Sequence, residues 1–128
     1  MRKIKLRGLV INPLASGETW ITSDDEFHEV YVNYVEKSAY INGHAVEFNS
    51  ISRYTGLKDK NGVEIYEGDI GWDEHFECFG VIKFDEGKFT YDWDNISEDL
   101  FEVHDEVKII GNIYEHSHLL KEELQNEK

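Results

Sequence analysis

Two groups of side chains in this sequence have the composition of a divalent-metal or hydrolytic site: Asp73, Glu74, His75 and Glu77, and Asp24, Asp25, Glu26 and His28. A histidine with two carboxylates can hold a metal ion and activate its water. The spacing works against it. Along a strand, alternation sends Asp73 and His75 to one face and Glu74 to the other, and acids in loops are ordinarily solvated. Asp59-Lys60-Asn61-Gly62 resembles part of a calcium-binding EF-hand loop. With Gly62 on the invariant glycine, Leu57 and Gly68 fall on the first and the bidentate ligand positions, where neither can ligate. His116 and His118 are two apart and do not share a helical face. Cys78 stands between Glu77 and Phe79, with no cation beside it in sequence to favour the thiolate. No nucleophile elbow, phosphate loop, dinucleotide fingerprint or zinc-ligand spacing occurs. The expectation is a protein that binds rather than catalyses, with no metal and no cofactor. Metal-assisted hydrolysis around Asp73 and His75 is the alternative.

Charge points to the kind of partner. The 128 residues hold 13 Lys and Arg against 27 Asp and Glu, a net of −14. Residues 1–64 carry 8 basic and 9 acidic groups, and residues 65–128 carry 5 and 18, so the second half alone is −13. From Trp72 to Glu106 there are twelve acids against Lys83 and Lys88. Such a surface repels phosphates and attracts basic partners within a Debye length of about 8–10 Å. Direct nucleic-acid binding is not expected. Aromatic residues interleave with the acids, and aromatic anchors in acidic surroundings suit recognition of a basic protein. The expected partner-binding residues are Trp72, Asp73, Glu74, Tyr91, Asp92, Trp93 and Asp94, with Trp72 and Trp93 the expected exposed rings. The opposing explanation is that most of these aromatics are alternate core positions and the acids only solubilise.

The elements that must position these residues are mostly strands. Ile4, Leu6 and Leu9-Val10-Ile11 open the chain, and Trp20-Ile21-Thr22 follows. Val30, Val32 and Tyr34 fall on one face of the next run. Asn42-Gly43 supplies the two positive φ angles of a type I′ hairpin turn. A second hairpin is expected around Asp59 to Gly62, and a turn at Glu67-Gly68-Asp69. Runs at Phe79 to Phe84 and Phe89 to Trp93 flank a turn at Asp85-Glu86-Gly87, and Asp94 to Leu100 is a loop or one helical turn. Val107 to Tyr114 is a last strand with a glycine bend, and Ser117 to Glu127 is expected to be a helix. The alternating start, Met1 to Arg7, is expected to be a strand rather than a secretory signal. No apolar run approaches the roughly 18 residues of a membrane span, and a lone Cys78 fits a reducing cytoplasm.

Tyr54-Thr55-Gly56-Leu57-Lys58-Asp59-Lys60-Asn61-Gly62-Val63-Glu64-Ile65-Tyr66-Glu67-Gly68-Asp69-Ile70 resembles the signature of the YopX family of phage and prophage proteins. Arg2-Lys3-Ile4-Lys5, Gly80-Val81-Ile82-Lys83-Phe84 and Ile110-Gly111-Asn112-Ile113-Tyr114-Glu115 are similar to its other elements, in order. The departures are local: Leu6 to Val10, Gly71-Trp72 after Ile70, and His116-Ser117-His118 near the last helix. The resemblance implies a prophage-encoded cytoplasmic protein with an SH3-like β-barrel, and no established activity. The expected fold is therefore mainly β (α+β). It has a strand-rich segment over 1–51, an SH3-like barrel over 52–115 and a short helix with tail over 116–128. Within the signature, Tyr54, Gly56, Asp59, Gly62, Tyr66, Gly68 and Asp69 are expected to be structural: glycines for positive φ, aspartates for turn amides, tyrosines as buried rings. A small-ligand site at a barrel mouth near Tyr54 and Tyr66 is a further alternative. The expected partner is a basic host or phage protein, a DNA-binding protein among the candidates, whose groove the acids would fill in place of phosphates.

Overall fold

β-branched and aromatic residues at alternate positions, interrupted by short polar turns, make the chain mainly β. The computed structural model describes residues 5–23 and 29–120. The chain divides into two compact units, Met1–Tyr54 and Thr55–Lys128. Three expectations lie outside the described residues: Arg2, Lys3 and Ile4 of the opening strand, the group Asp24, Asp25, Glu26 and His28, and the helix beyond Leu120.

In the first unit, β1 (Leu6–Leu9) pairs antiparallel with β2 (Trp20–Thr22). β3 (Val30–Asn33), β4 (Ser38–Ile41) and β5 (His44–Val46) form a three-stranded sheet. The β4–β5 turn is the expected one, with φ of 48° at Asn42 and 84° at Gly43. Val10, Ala39, Ile41 and Val46 form the core, with Val30 and Val32 packed against it. Tyr34 does not join them. It lies beyond the end of β3, in the turn that Asn33 holds by accepting from the Val35 and Glu36 amides, and it is 77% exposed. Two buried serines replace apolar contacts with hydrogen bonds: Ser23 Oγ accepts from Leu6 N, and Ser50 Oγ accepts from Leu9 N.

β6 (Ser52–Lys58) starts in the first unit, opposite Arg7 and Leu6, and ends in the second beside β7 (Glu64–Tyr66). Next come β8 (Asp69–Asp73), β9 (Cys78–Asp85), β10 (Lys88–Trp93) and β11 (Ile96–Asp99). A single helical turn, α1 (Leu100–Val103), leads through a 3-10 turn to β12 (Lys108–Asn112). The five-stranded sheet runs β11-β10-β9-β8-β12, with antiparallel neighbours throughout. Ile65, Ile82, Tyr91, Leu100 and Val107 are its core. The segment expected as a loop or helical turn, Asp94 to Leu100, is mostly β11. Asp94, at φ 53°, opens a two-residue turn, after which Ile96 pairs with Trp93. Side chains bind this polar strand in place: Ser97 Oγ donates to Asp92 at 2.7 Å and Trp93 Nε1 to Glu98 at 2.9 Å. Asp99 then caps α1 by accepting from the Phe101 amide.

Two glycines shape this core. Gly71 and Gly80 face each other across β8 and β9, and the Tyr91 ring occupies the space both leave. A methyl group at Gly80 would overlap the ring carbons of Tyr91, and one at Gly71 would overlap Val107. The bend expected in the last strand is a bulge in β12, where the register with β8 shifts between Ile109 and Gly111.

Candidate functional site

The long signature forms structure at each described contact. Asp59 is 5% exposed and its carboxylate binds three backbone amides: Oδ1 accepts from Asn61 at 2.8 Å and Val63 at 2.9 Å, and Oδ2 accepts from Ile109 at 2.8 Å. One aspartate thus closes its own turn and ties it to β12, fifty residues on. Asp69, buried, accepts from Tyr66 N at 2.7 Å. The Tyr66 ring is buried and its hydroxyl reaches Glu64, while Tyr54 is half-buried with the Lys5 ammonium over its ring. Gly56, Gly62 and Gly68 all have positive φ. Gly68 carries most, because its amide donates to Ile82, its carbonyl accepts from Ile113, and a Cβ there would press on the Tyr114 ring at 3.0 Å. We expect Gly68→Val to cost about 2–3 kcal/mol through strain and crowding. Glu74→Ala, which removes an exposed partner of Lys60, should stay within about 0.5 kcal/mol. Thermal melts that rank the two in the opposite order would show the signature is not architectural.

The carboxylates and histidines with metal-like composition do not converge. Asp73 is buried, and its Oδ1 is engaged by the amides of His75 and Phe76, so it organises the turn after β8. The His75 imidazole meets the edge of Phe76. His116 Nδ1 accepts from the Asn112 amide, its ring 6.2 Å from that of His118. Among the described residues no three His, Cys, Asp or Glu side chains cluster as metal ligands would.

The acidic, aromatic stretch is regrouped by the fold. Tyr91 is 0% exposed, so it is a core residue rather than part of a face, because β10 alternation turns it onto Gly71 and Gly80. Asp73 is likewise withdrawn, by its turn. Trp72 is half-buried and packs edge-to-face on Phe79, with centroids 4.9 Å apart. Trp93 is half-buried too, held by its bond to Glu98. Phe101 and Phe84 are exposed on other parts of the stretch, and Phe76, 52% exposed, is stacked on Trp93 at 4.8 Å with 23° between planes. A sequence signal for Phe76 existed: an aromatic inside the polar turn Asp73-Glu74-His75-Phe76-Glu77 is not at an alternate strand position and cannot be absorbed by a sheet core.

Phe76 and Trp93 line a groove of about 610 Å³, together with Phe79, Val81 and Leu120. Glu77, Asp92 and Asp94 line it as well, with Lys83 the cation among the described lining residues. Lys83 lies 3.8 Å from Asp92, whose other oxygen accepts from Ser97. Glu77 and Asp94 are exposed and occupy turn positions with φ of 52° and 53°. Glu74 stands outside this groove, on a separate depression of about 420 Å³ with His75, Asp105 and Glu106. Cys78, the first residue of β9, is half-buried and lines the groove.

No helix among the described residues is long and apolar enough to cross a membrane. The family model described as YopX protein matches residues 11–121. Among solved structures, the chain is similar to the crystal structure of protein EF1440 from Enterococcus faecalis. The two are 23% identical, with a TM-score of 0.56 over 94% of this chain and 99% of that one, a likeness of fold. No curated protein matches.

Proposed function

The chain belongs to the YopX family, and on that premise we propose that it is a prophage-encoded cytoplasmic accessory protein that acts by binding a basic host or phage protein. The strands of 52–115 serve as an SH3-like barrel that carries the binding face, a reading supported by the antiparallel five-stranded sheet of β8 to β12 within them. One observation carries the proposal: an exposed aromatic, Phe76, stacked on Trp93 within a groove rimmed by carboxylates. Charge at such a rim steers encounter, and a ring that becomes buried holds the complex afterwards. The binding face is therefore Phe76, Trp93, Glu77, Asp92 and Asp94, with Trp72 behind it through Phe79.

The test begins with affinity capture from host lysate to name a partner, followed by kinetics with the purified pair. Association should slow steeply as salt rises from about 0.1 to about 0.5 M, as screening of an encounter between opposite charges requires. Charge reversal at Asp94 should slow association, whereas Phe76→Ala should mainly speed dissociation. Duplex DNA should not bind at physiological salt, since its phosphates meet charge of the same sign. A partner that binds equally at both salt concentrations, or binding to free DNA, would refute the electrostatic mechanism.

A further inference from the structure

We propose that the groove beside Phe76 takes arginine side chains from a basic protein segment, and discriminates against lysine. This deepens the proposed function and rests on it. The aromatic surface is in place before any ligand arrives: Phe76 and Trp93 are stacked nearly parallel, and the indole N–H is tied to Glu98. Half of Phe76 is open to solvent, so a flat cation can lie against it. Among the described residues three carboxylates line the same groove, Glu77, Asp92 and Asp94, against one ammonium, Lys83, which already lies near Asp92. The charge left over is negative and sits around the aromatic surface.

Guanidinium fits that combination better than ammonium. It is planar and weakly hydrated, stacks on aromatic faces, and keeps its N–H donors in its own plane, pointing outward. An arginine against Phe76 would direct those donors toward the surrounding carboxylates, where charge-assisted bonds are strong. An ammonium is compact and strongly hydrated, and would have to give up water to touch the rings. Phosphate-bearing partners are excluded by sign. Glu77 and Asp94 lie in two short turns, one leading into β9 and one out of β10, so the carboxylates are held by the same sheet that holds the rings.

The probes are two synthetic peptides of equal length and charge, one alternating glycine with arginine and one alternating glycine with lysine, titrated calorimetrically into the full chain. At about 0.15 M salt the arginine peptide should bind about tenfold more tightly, the difference expected of a partly desolvated cation–π contact. Phe76→Leu keeps an apolar side chain without a π face, so it should remove most of that preference while leaving the melting temperature near that of the unaltered protein. Asp94→Asn should weaken both peptides. Equal affinity for the two peptides, or a preference that survives Phe76→Leu, overturns the arginine assignment. If the peptides bind equally and with salt sensitivity, the basic-partner proposal stands alone. If neither peptide binds and the captured partner ignores Phe76, both fall.

Discussion

Replacing Gly80 with alanine is expected to destabilise the second unit by about 2–3 kcal/mol, the upper range for inserting a methylene-sized group into a filled core. The added methyl has no room, because the Tyr91 ring already lies where a Cβ would project. Tyr91 cannot easily yield, being fully buried among Ile65, Ile82, Leu100 and Val107. Relief requires moving β9 against β10, which breaks the register that pairs Ile82 with Tyr91. Urea denaturation followed by circular dichroism should show a lower midpoint with an unchanged slope. Combining Gly80→Ala with Tyr91→Leu should cost less than the sum of the two, because the smaller side chain vacates the space the methyl needs. A simple sum, or a Gly80→Ala midpoint equal to the parent's, would mean the ring and the glycine are not in contact.

The second large effect is expected at Asp59. Asp59→Ala strips three amides, those of Asn61 and Val63 in the turn and the half-buried one of Ile109, of their acceptor at once. An orphaned donor shielded from water costs on the order of 1–3 kcal/mol, as at Ile109, and the two turn amides lose about 0.5–1.5 kcal/mol each, so a total loss of roughly 3 kcal/mol is expected. Asp59→Asn separates the parts. Its one carbonyl oxygen can keep the two turn amides, but its NH2 then faces the Ile109 amide, donor against donor. It should therefore fall between alanine and the parent, with hydrogen exchange rising first at Ile109. Should alanine and asparagine be equally mild, the carboxylate is not what joins the turn to β12.

The legible parts of the fold were those written locally. Asn42-Gly43 announces its hairpin because two positive φ angles suit few other pairs, and Asp59 announces an Asx turn because the amides that donate to it lie two and four residues on. The bond from Asp59 to Ile109 has no such signature, since no periodicity connects residues fifty apart. β11 was hidden for a different reason. Ile96-Ser97-Glu98-Asp99 has poor strand propensity, and its partners, Asp92 and Trp93, reward it only once β10 is already in place. In the candidate site, the two rings expected to be exposed, Trp72 and Trp93, are half-buried, and Phe76 is exposed instead. Alternation along β10 put Tyr91 and Asp92 on opposite faces, but nothing local says which face is covered. Phe76 was readable as a ring in the polar turn between β8 and β9, and its stacking on Trp93 was not, because it joins the end of one hairpin to the start of another.

The bulge in β12 and the brevity of β11 bear on how another polypeptide could approach the five-stranded sheet. A flat outer strand with open N–H and C=O groups invites main-chain pairing with a foreign chain, or with another copy. Here one margin is four residues long and ends in Glu98 and Asp99. The opposite margin is broken at Ile110, its Ile109 amide is bound by Asp59, and the Val107 carbonyl just before it accepts from the Lys60 amide. Strand addition at either side is therefore poorly supported. A partner of this sheet has to be recognised through side chains, which makes its binding segment short, defined by composition, and indifferent to backbone register.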